Sequence, residues 1–246
     1  MQDNLKKKIV GLDDKFQYRG QNQSRVETLS DAVFALAITL LVLSSTVPET
    51  FRQLWVSMSD IIPFALSTVL IMVIWFQHAN FFLKYGLQDR TTIVFNTLLL
   101  FLVLVYVYPL KFLTRLLVQI YGNIFGLMTA DLTAFGDYNQ ENMQLLMIYY
   151  GLGAFLIFFT LCIMYRRALG LSDILQLNDY EKFQTRMSMY ANLLLASVPL
   201  LSVLITWIDP FGNYITFVVA GFLYFIYIPV MTIFSARAKK KRKAFI

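Results

Sequence analysis

Residues 25–47 read Arg25-Val26-Glu27-Thr28-Leu29-Ser30-Asp31-Ala32-Val33-Phe34-Ala35-Leu36-Ala37-Ile38-Thr39-Leu40-Leu41-Val42-Leu43-Ser44-Ser45-Thr46-Val47. This is an apolar run long enough to cross a bilayer, which takes about 20 residues of helix. It is polar at both ends, with Ser30 and Asp31 at one and Ser44, Ser45 and Thr46 at the other. An ionisable group at a membrane edge needs a partner or water, so Arg25 and Asp31 become candidate site residues. Leu29, Val33, Leu36, Leu40, Leu43 and Val47 step by four, three, four, three and four. That is a sustained 3.5-residue seam. Small residues Ala32, Ala35 and Ala37 lie beside it, and in lipid small residues decide helix packing. The seam by itself is open between lipid contact, helix packing and a ring around a symmetry axis.

The rest of the chain repeats the same signal. Of 246 residues, 58% are apolar and 15% charged. A soluble domain averages about 45–50% apolar and about 25% charged. Six apolar segments emerge: 29–47, 54–78, 92–118, 143–165, 188–208 and 212–235. They are continuous rather than alternating, which excludes barrel strands of about ten residues. Lys111 and Arg115, late in the third segment, are expected to snorkel toward the outer interface. Placing the N-terminus in the cytoplasm puts 18 of the 21 Lys and Arg residues on that side. Both termini are therefore expected in the cytoplasm. The loop 119–142 has no Lys or Arg but holds Asp131, Asp137 and Glu141, and with Glu49 would attract cations. The first 25 residues are polar and basic, without the apolar core of a cleavable signal peptide. The expected organisation is a cytoplasmic segment 1–25, a transmembrane domain 26–235 and a basic cytoplasmic tail 236–246. Lys239–Lys243 reads as a membrane-surface anchor rather than a nucleic-acid site.

Chemistry beyond transport finds little support. The chain has one histidine, His78, and one cysteine, Cys162. A zinc-type site needs three or four such ligands. No nucleophile with its base, and no acidic metal-binding cluster, is apparent. No enzyme activity, metal or cofactor is expected. Pro63, Pro199 and Pro229 do not form the paired breaks of an inverted-repeat transporter.

A second constellation lies opposite Ser30 and Asp31. The second segment runs back to the cytoplasmic side and ends with Trp75, His78 and Asn80; Asn96 lies early in the third. In an antiparallel hairpin these groups share one leaflet. Asp31 accepts, the Trp75 indole donates, and His78 does either. A structural clamp on the foot of the first helix is the preferred role, and a proton relay is the alternative.

The stretch Arg25-Val-Glu-Thr-Leu29-Ser30-Asp31 resembles the Arg-x-x-x-Phe-Ser-Asp signature of the transmembrane protein 175 family of potassium channels, with Leu29 in place of Phe. The following Ala-x-Ala-Ile-Thr-Leu-Leu-Val-Leu run, Trp75-x-x-His78, Asn96 and Pro109 extend the likeness over roughly residues 25–115. The resemblance implies an all-α membrane protein with six transmembrane helices per subunit. Four subunits would surround a pore lined by the first helix, as in bacterial members. It implies constriction rings at Leu36, Leu40 and Leu43 and a hydroxyl layer at Thr39. It implies a potassium-preferring, passive cation channel that needs no cofactor, a homotetramer in the lipid bilayer of a bacterial inner (cell) membrane. The alternatives are a proton-coupled secondary transporter and a non-conducting membrane scaffold.

Overall fold

A computed structural model describes residues 13, 15–43, 49–124, 126, 140–210 and 214–242. The helices are α1 (Arg25–Leu43), α2 (Phe51–Ser59), α3 (Ile61–Tyr85), α4 (Arg90–Ile124), α5 (Gln140–Gly170), α6 (Asp179–Ile208), α7 (Tyr214–Phe222) and α8 (Tyr227–Arg242), with a 3₁₀ turn, Leu223–Ile226, between the last two. The described residues contain no strand. Five stretches among them are long and apolar enough to cross a membrane: Ile61–Tyr85, Arg90–Val107, Gln144–Gly170, Asp179–Ile208 and Val219–Arg242. The first expected segment, 29–47, begins as α1; its residues 44–47, Val47 of the seam included, lie outside the described residues. So do Asp131, Asp137 and Lys243, and the side chain of Glu141.

Local chemistry sets the helix starts. Ser24 and Glu27 form a capping box at α1: Glu27 N–H donates to Ser24 Oγ at 3.2 Å, and Ser24 N–H to Glu27 Oε1 at 3.2 Å. Asp89 caps α4 by accepting from the Thr92 backbone N–H at 3.4 Å, and it also accepts from Thr92 Oγ1 at 2.5 Å. Asn178 and Glu181 form a second capping box at α6. This box starts α6 nine residues ahead of the expected 188, because polar Glu181 and Arg186 can ride on a helix that has not yet entered the apolar layer.

The expected second segment, 54–78, proves to be two helices. α2 ends at Ser59, and α3 begins at Ile61 and runs to Tyr85. Pro63 falls in the first turn of α3, where its missing N–H would have no intrahelical acceptor anyway. Gly86, at φ 58°, ends α3 in the left-handed conformation that glycine adopts freely. The final segment is broken too. Pro229 cannot donate to the Phe225 carbonyl, and the chain tightens into the 3₁₀ turn just ahead of it. Pro199 likewise frees the Leu195 carbonyl, which Tyr227 Oη satisfies at 2.5 Å.

α1, α3 and α4 form one packed unit. Phe34, Ala37 and Leu41 of α1 are buried with Ile71 and Ile74 of α3 and Leu99, Val103 and Val107 of α4. Each fully buried leucine-sized side chain contributes about 1.5–3 kcal/mol relative to water, though between helices in lipid that term gives way to close packing. α5 and α6 form an antiparallel hairpin beside this unit. A Cβ on Gly151 would fall 2.5 Å from Val203 Cγ2, and one on Gly153 2.5 Å from the Tyr106 ring. Those two glycines let α5 approach α6 and α4 closely.

Two expectations are corrected here. Lys111 does not snorkel: it is 7% exposed, and its Nζ donates to the Leu41 carbonyl of α1 at 3.1 Å. Arg115 stays exposed, and its Nε donates to Asp60 at 2.7 Å. The segment ahead of α1 is also more than a polar leader. Phe16 and Tyr18 are buried in the core. Arg19 and Gly20 donate backbone N–H groups to the Lys84 and Leu83 carbonyls at 3.3 and 3.1 Å. Arg19 pairs with buried Glu181 at 2.9 Å, and Gln17 N–H donates to the same carboxylate at 2.6 Å. Asp13 accepts from Tyr180 and from Arg242 of α8, the latter at 2.7 Å. Residues 15–24 thus form a strap across the bundle end where both described chain ends meet.

Candidate functional site

The sequence placed Ser30, Asp31, Trp75, His78 and Asn96 at one level, and the fold brings all five together. Trp75 Nε1 donates to Asp31 Oδ1 at 2.8 Å, tying α3 to the first turns of α1. Gln23 Nε2 donates to the other Asp31 oxygen at 2.9 Å. Deeper in, Asn96 Nδ2 donates to Ser30 Oγ at 2.9 Å, and Ser30 Oγ donates to the Val26 carbonyl at 2.8 Å. Asn96 Oδ1 faces His78 Nε2 at 2.8 Å. With the Asn96 amide nitrogen committed to Ser30, its oxygen accepts, so His78 carries its proton on Nε2. Ser30, His78 and Asn96 are at most 2% exposed. His78 is walled by Phe34 and Phe82, with ring centroids 5.5 and 4.8 Å away. One residue from each of three helices closes this chain.

Arg25 is not drawn in. It stays exposed at the first turn of α1, and no hydrogen bond or ion pair to it occurs among the described residues. The intervening Glu27, which the sequence reading did not single out, caps the helix instead.

The seam of α1 divides. Helical geometry at 100° per residue puts Ser30, Phe34, Ala37 and Leu41 on one side, and all four are buried. The opposite side carries Leu29, Ala32, Ala35, Leu36 and Thr39, all exposed, with Leu36 at 50%. Leu40 turns to the flank, partly buried against the core beside Val33. Leu43 ends the described helix, and its side chain lies outside the described residues. Thr39 Oγ1 donates to the Ala35 carbonyl at 2.9 Å. Its proton is thus consumed by its own helix, and its oxygen lone pairs remain on the open face.

At the far end of the bundle Ser67 Oγ and Thr114 Oγ1 pair at 2.8 Å, joining α3 to α4. The α1 helix is therefore held at both ends against a unit that is itself cross-linked. Among the described residues no group of three or more His, Cys, Asp and Glu side chains could hold a metal. The sequence reading missed Lys111 as a site residue because its place late in the apolar stretch, two residues past Pro109, reads as interfacial.

Comparison with known proteins places these observations. The model of a family described as endosomal/lysosomal potassium channel TMEM175 matches residues 25–107. A protein of Marivirga tractuosa described as a potassium channel is 59% identical over 235 residues, 96% of this chain and 95% of that one. Potassium channel Cha6605_3372 of Chamaesiphon minutus is 34% identical over 106 residues, 39% of this chain and 51% of that one. Among solved structures, a threonine-to-alanine variant of the potassium channel MtTMEM175, in complex with a nanobody–MBP fusion, matches with a TM-score of 0.86. It is 59% identical, and the match covers 93% of this chain and 99% of that chain.

Proposed function

Since this chain belongs to the TMEM175 family of potassium channels, we propose that four copies of it surround a central pore lined by α1 and conduct potassium passively. The family is one of ion channels, a non-enzyme kind of protein, and the chain is a multi-pass membrane protein. The observation that carries the proposal is the two-sided character of α1. One side is buried against α3 and α4, while Ala32, Ala35, Leu36 and Thr39 form an open line on the other. The small residues let helices approach an axis closely. Leu36 on that line forms an apolar ring, and the spacing of the sequence assigns a second ring to Leu43, seven residues on, whose side chain lies outside the described residues; Leu40 stands at the flank of the throat. An apolar throat of this kind gates by dewetting. Thr39 offers a ring of hydroxyl oxygens that replaces part of a cation's hydration shell. Hydroxyls have a weaker field than carbonyls, so the preference for potassium over sodium is modest.

Six spans, counting α1, put both termini in the cytoplasm of a bacterial cell, in its inner membrane. The organisation is a segment 1–25, a channel domain 26–235 and a tail 236–246 whose basic residues meet anionic lipid rather than nucleic acid. Conduction uses no cofactor. The clamp of Ser30, Asp31, Trp75, His78 and Asn96 holds the foot of α1.

The test is potassium flux from liposomes holding the purified protein, compared with Leu36→Ala and Leu43→Ala. Shaving either ring raises flux or the sodium leak if α1 stands on the axis. Silence of all three proteins across a voltage range, with the folded oligomer intact, refutes the channel assignment and turns attention to proton-coupled transport or a scaffold.

A further inference from the structure

Lys111 is a buried cation that the pore reading above does not use. It lies on α4, 7% exposed, and it reaches across to α1, where Nζ donates to the Leu41 carbonyl at 3.1 Å. An ammonium among apolar helices is costly, and a leucine or methionine would fill the same volume without that cost. A backbone carbonyl has two lone pairs, so the Leu41 oxygen can accept from Lys111 beside any bond made within its own helix. The base of the lysine is fixed as well. Thr114 Oγ1 donates to the Lys111 carbonyl at 3.0 Å and pairs with Ser67 of α3 at 2.8 Å. The side chain is therefore a strut from a cross-linked α3–α4 pair to the backbone of α1. It lands on the buried side of the turn whose open side carries Thr39.

We propose that Lys111 is a positioning residue for ion selection. By bonding the Leu41 carbonyl it sets how far the Leu36–Thr39 face stands from the pore axis. This rests on the reading of α1 as the pore helix. A ring of four hydroxyls discriminates between ions only at one spacing, so a helix that shifts by a fraction of an ångström loses discrimination before it loses conduction. The apolar contacts of Phe34, Ala37 and Leu41 hold the helix on its neighbours but resist sliding and tilting less than a directed bond does.

The experiment reconstitutes the full chain and measures sodium and potassium flux for the wild type, Lys111→Met, Lys111→Gln, Lys111→Arg and Leu36→Ala. Methionine has no donor, and glutamine is too short to reach Leu41. Both should raise the sodium-to-potassium flux ratio about threefold or more, as loss of a charged hydrogen bond at a tuned spacing implies. Arginine keeps reach and charge and should restore the wild-type ratio. If Leu36→Ala changes the ratio while Met and Gln leave it unaltered, the strut is refuted and the pore helix stands. If Met and Gln raise both fluxes equally, Lys111 acts as a repelling charge and the positioning role is refuted. If Leu36→Ala leaves both the fluxes and their ratio unchanged, α1 is not the pore helix and the proposal falls with it. Should the Met variant fail to assemble, the Gln variant decides the outcome.

Discussion

Replacing Asn96 with alanine cuts the clamp at its centre. Asn96 is 2% exposed and makes two side-chain hydrogen bonds, to Ser30 and to His78. Hydrogen bonds between helices in a membrane average about 0.6 kcal/mol each, so their loss accounts for about 1.2 kcal/mol. The larger effect is on His78. Its Nε2–H would be left buried and unpaired, at a cost of about 1–3 kcal/mol. Its Nδ1 already has no partner among the described residues, so the ring cannot recover by exchanging tautomers. The total is roughly 2–4 kcal/mol. For a chain of this length 1 kcal/mol shifts Tm by about 2–4 °C, which gives a fall of roughly 5–15 °C. The assay is thermal unfolding of the detergent-solubilised protein followed by tryptophan fluorescence. Ser30→Ala, which removes only one of the two bonds, should cost about 0.5–1.5 kcal/mol. The double variant should cost less than the sum, because the two residues share a bond. An Asn96→Ala protein that melts within about 2 °C of the wild type would refute the claim that this network holds the foot of α1.

The capping carboxylate Asp89 gives a pH prediction. Burial on its own pushes its carboxyl up, but hydrogen bonds from Thr92 and the Arg167 guanidinium outweigh that and hold it below the usual carboxylate value. A depressed carboxylate stabilises the fold above its unfolded pKa, about 3.9, and that stability is lost as pH falls through the lower folded value. The Arg167 pair, at 3.0 Å and about one-third exposed, contributes about 0.2–1 kcal/mol. Asp89→Asn should remove this part of the acid-side slope in Tm against pH and leave the slope above pH 6 unchanged. Gly20→Ala tests the strap: its Cβ would lie 2.1 Å from the Phe82 carbonyl oxygen, so the strap must lift. Limited proteolysis should then cut within residues 15–24 at least about tenfold faster, since cleavage tracks the open population.

The sequence made the membrane helices legible because continuous apolar runs have few other uses. It also located the clamp, because polar residues in such runs are rare enough to be matched by depth alone. The break between α2 and α3 was harder to see. Asp60-Ile-Ile-Pro63 is a helix start, but Trp55, Val56 and Met58 ahead of it keep the stretch apolar. α1 shows the limit of spacing arguments. A heptad seam predicts one face, yet a straight helix at 3.6 residues per turn drifts away from it. Leu36 therefore stays on the open side while Leu40 turns to the flank. Lys111 was misplaced because a lysine near a helix end reads as interfacial unless a carbonyl waits inside, and only the fold shows that carbonyl. The strap was hidden by its charge: four of residues 13–24 are charged, and Phe16 and Tyr18 are a sparse signal among them.

The strap also constrains how the protein is made. Residues 13–24 are synthesised well before some of their partners: Glu181 follows Arg19 by 162 residues, and Arg242 follows Asp13 by 229. Docking must wait until the α5–α6 hairpin has been inserted. Closing a chain segment over such separations is slow compared with forming the helices. Throughout synthesis Phe16 and Tyr18 are exposed beside a growing membrane protein, and the charges around them keep that end soluble. Engagement of Arg19 with Glu181 is then a late event that occurs only when the hairpin is in place, and until then the segment stays open to proteolysis.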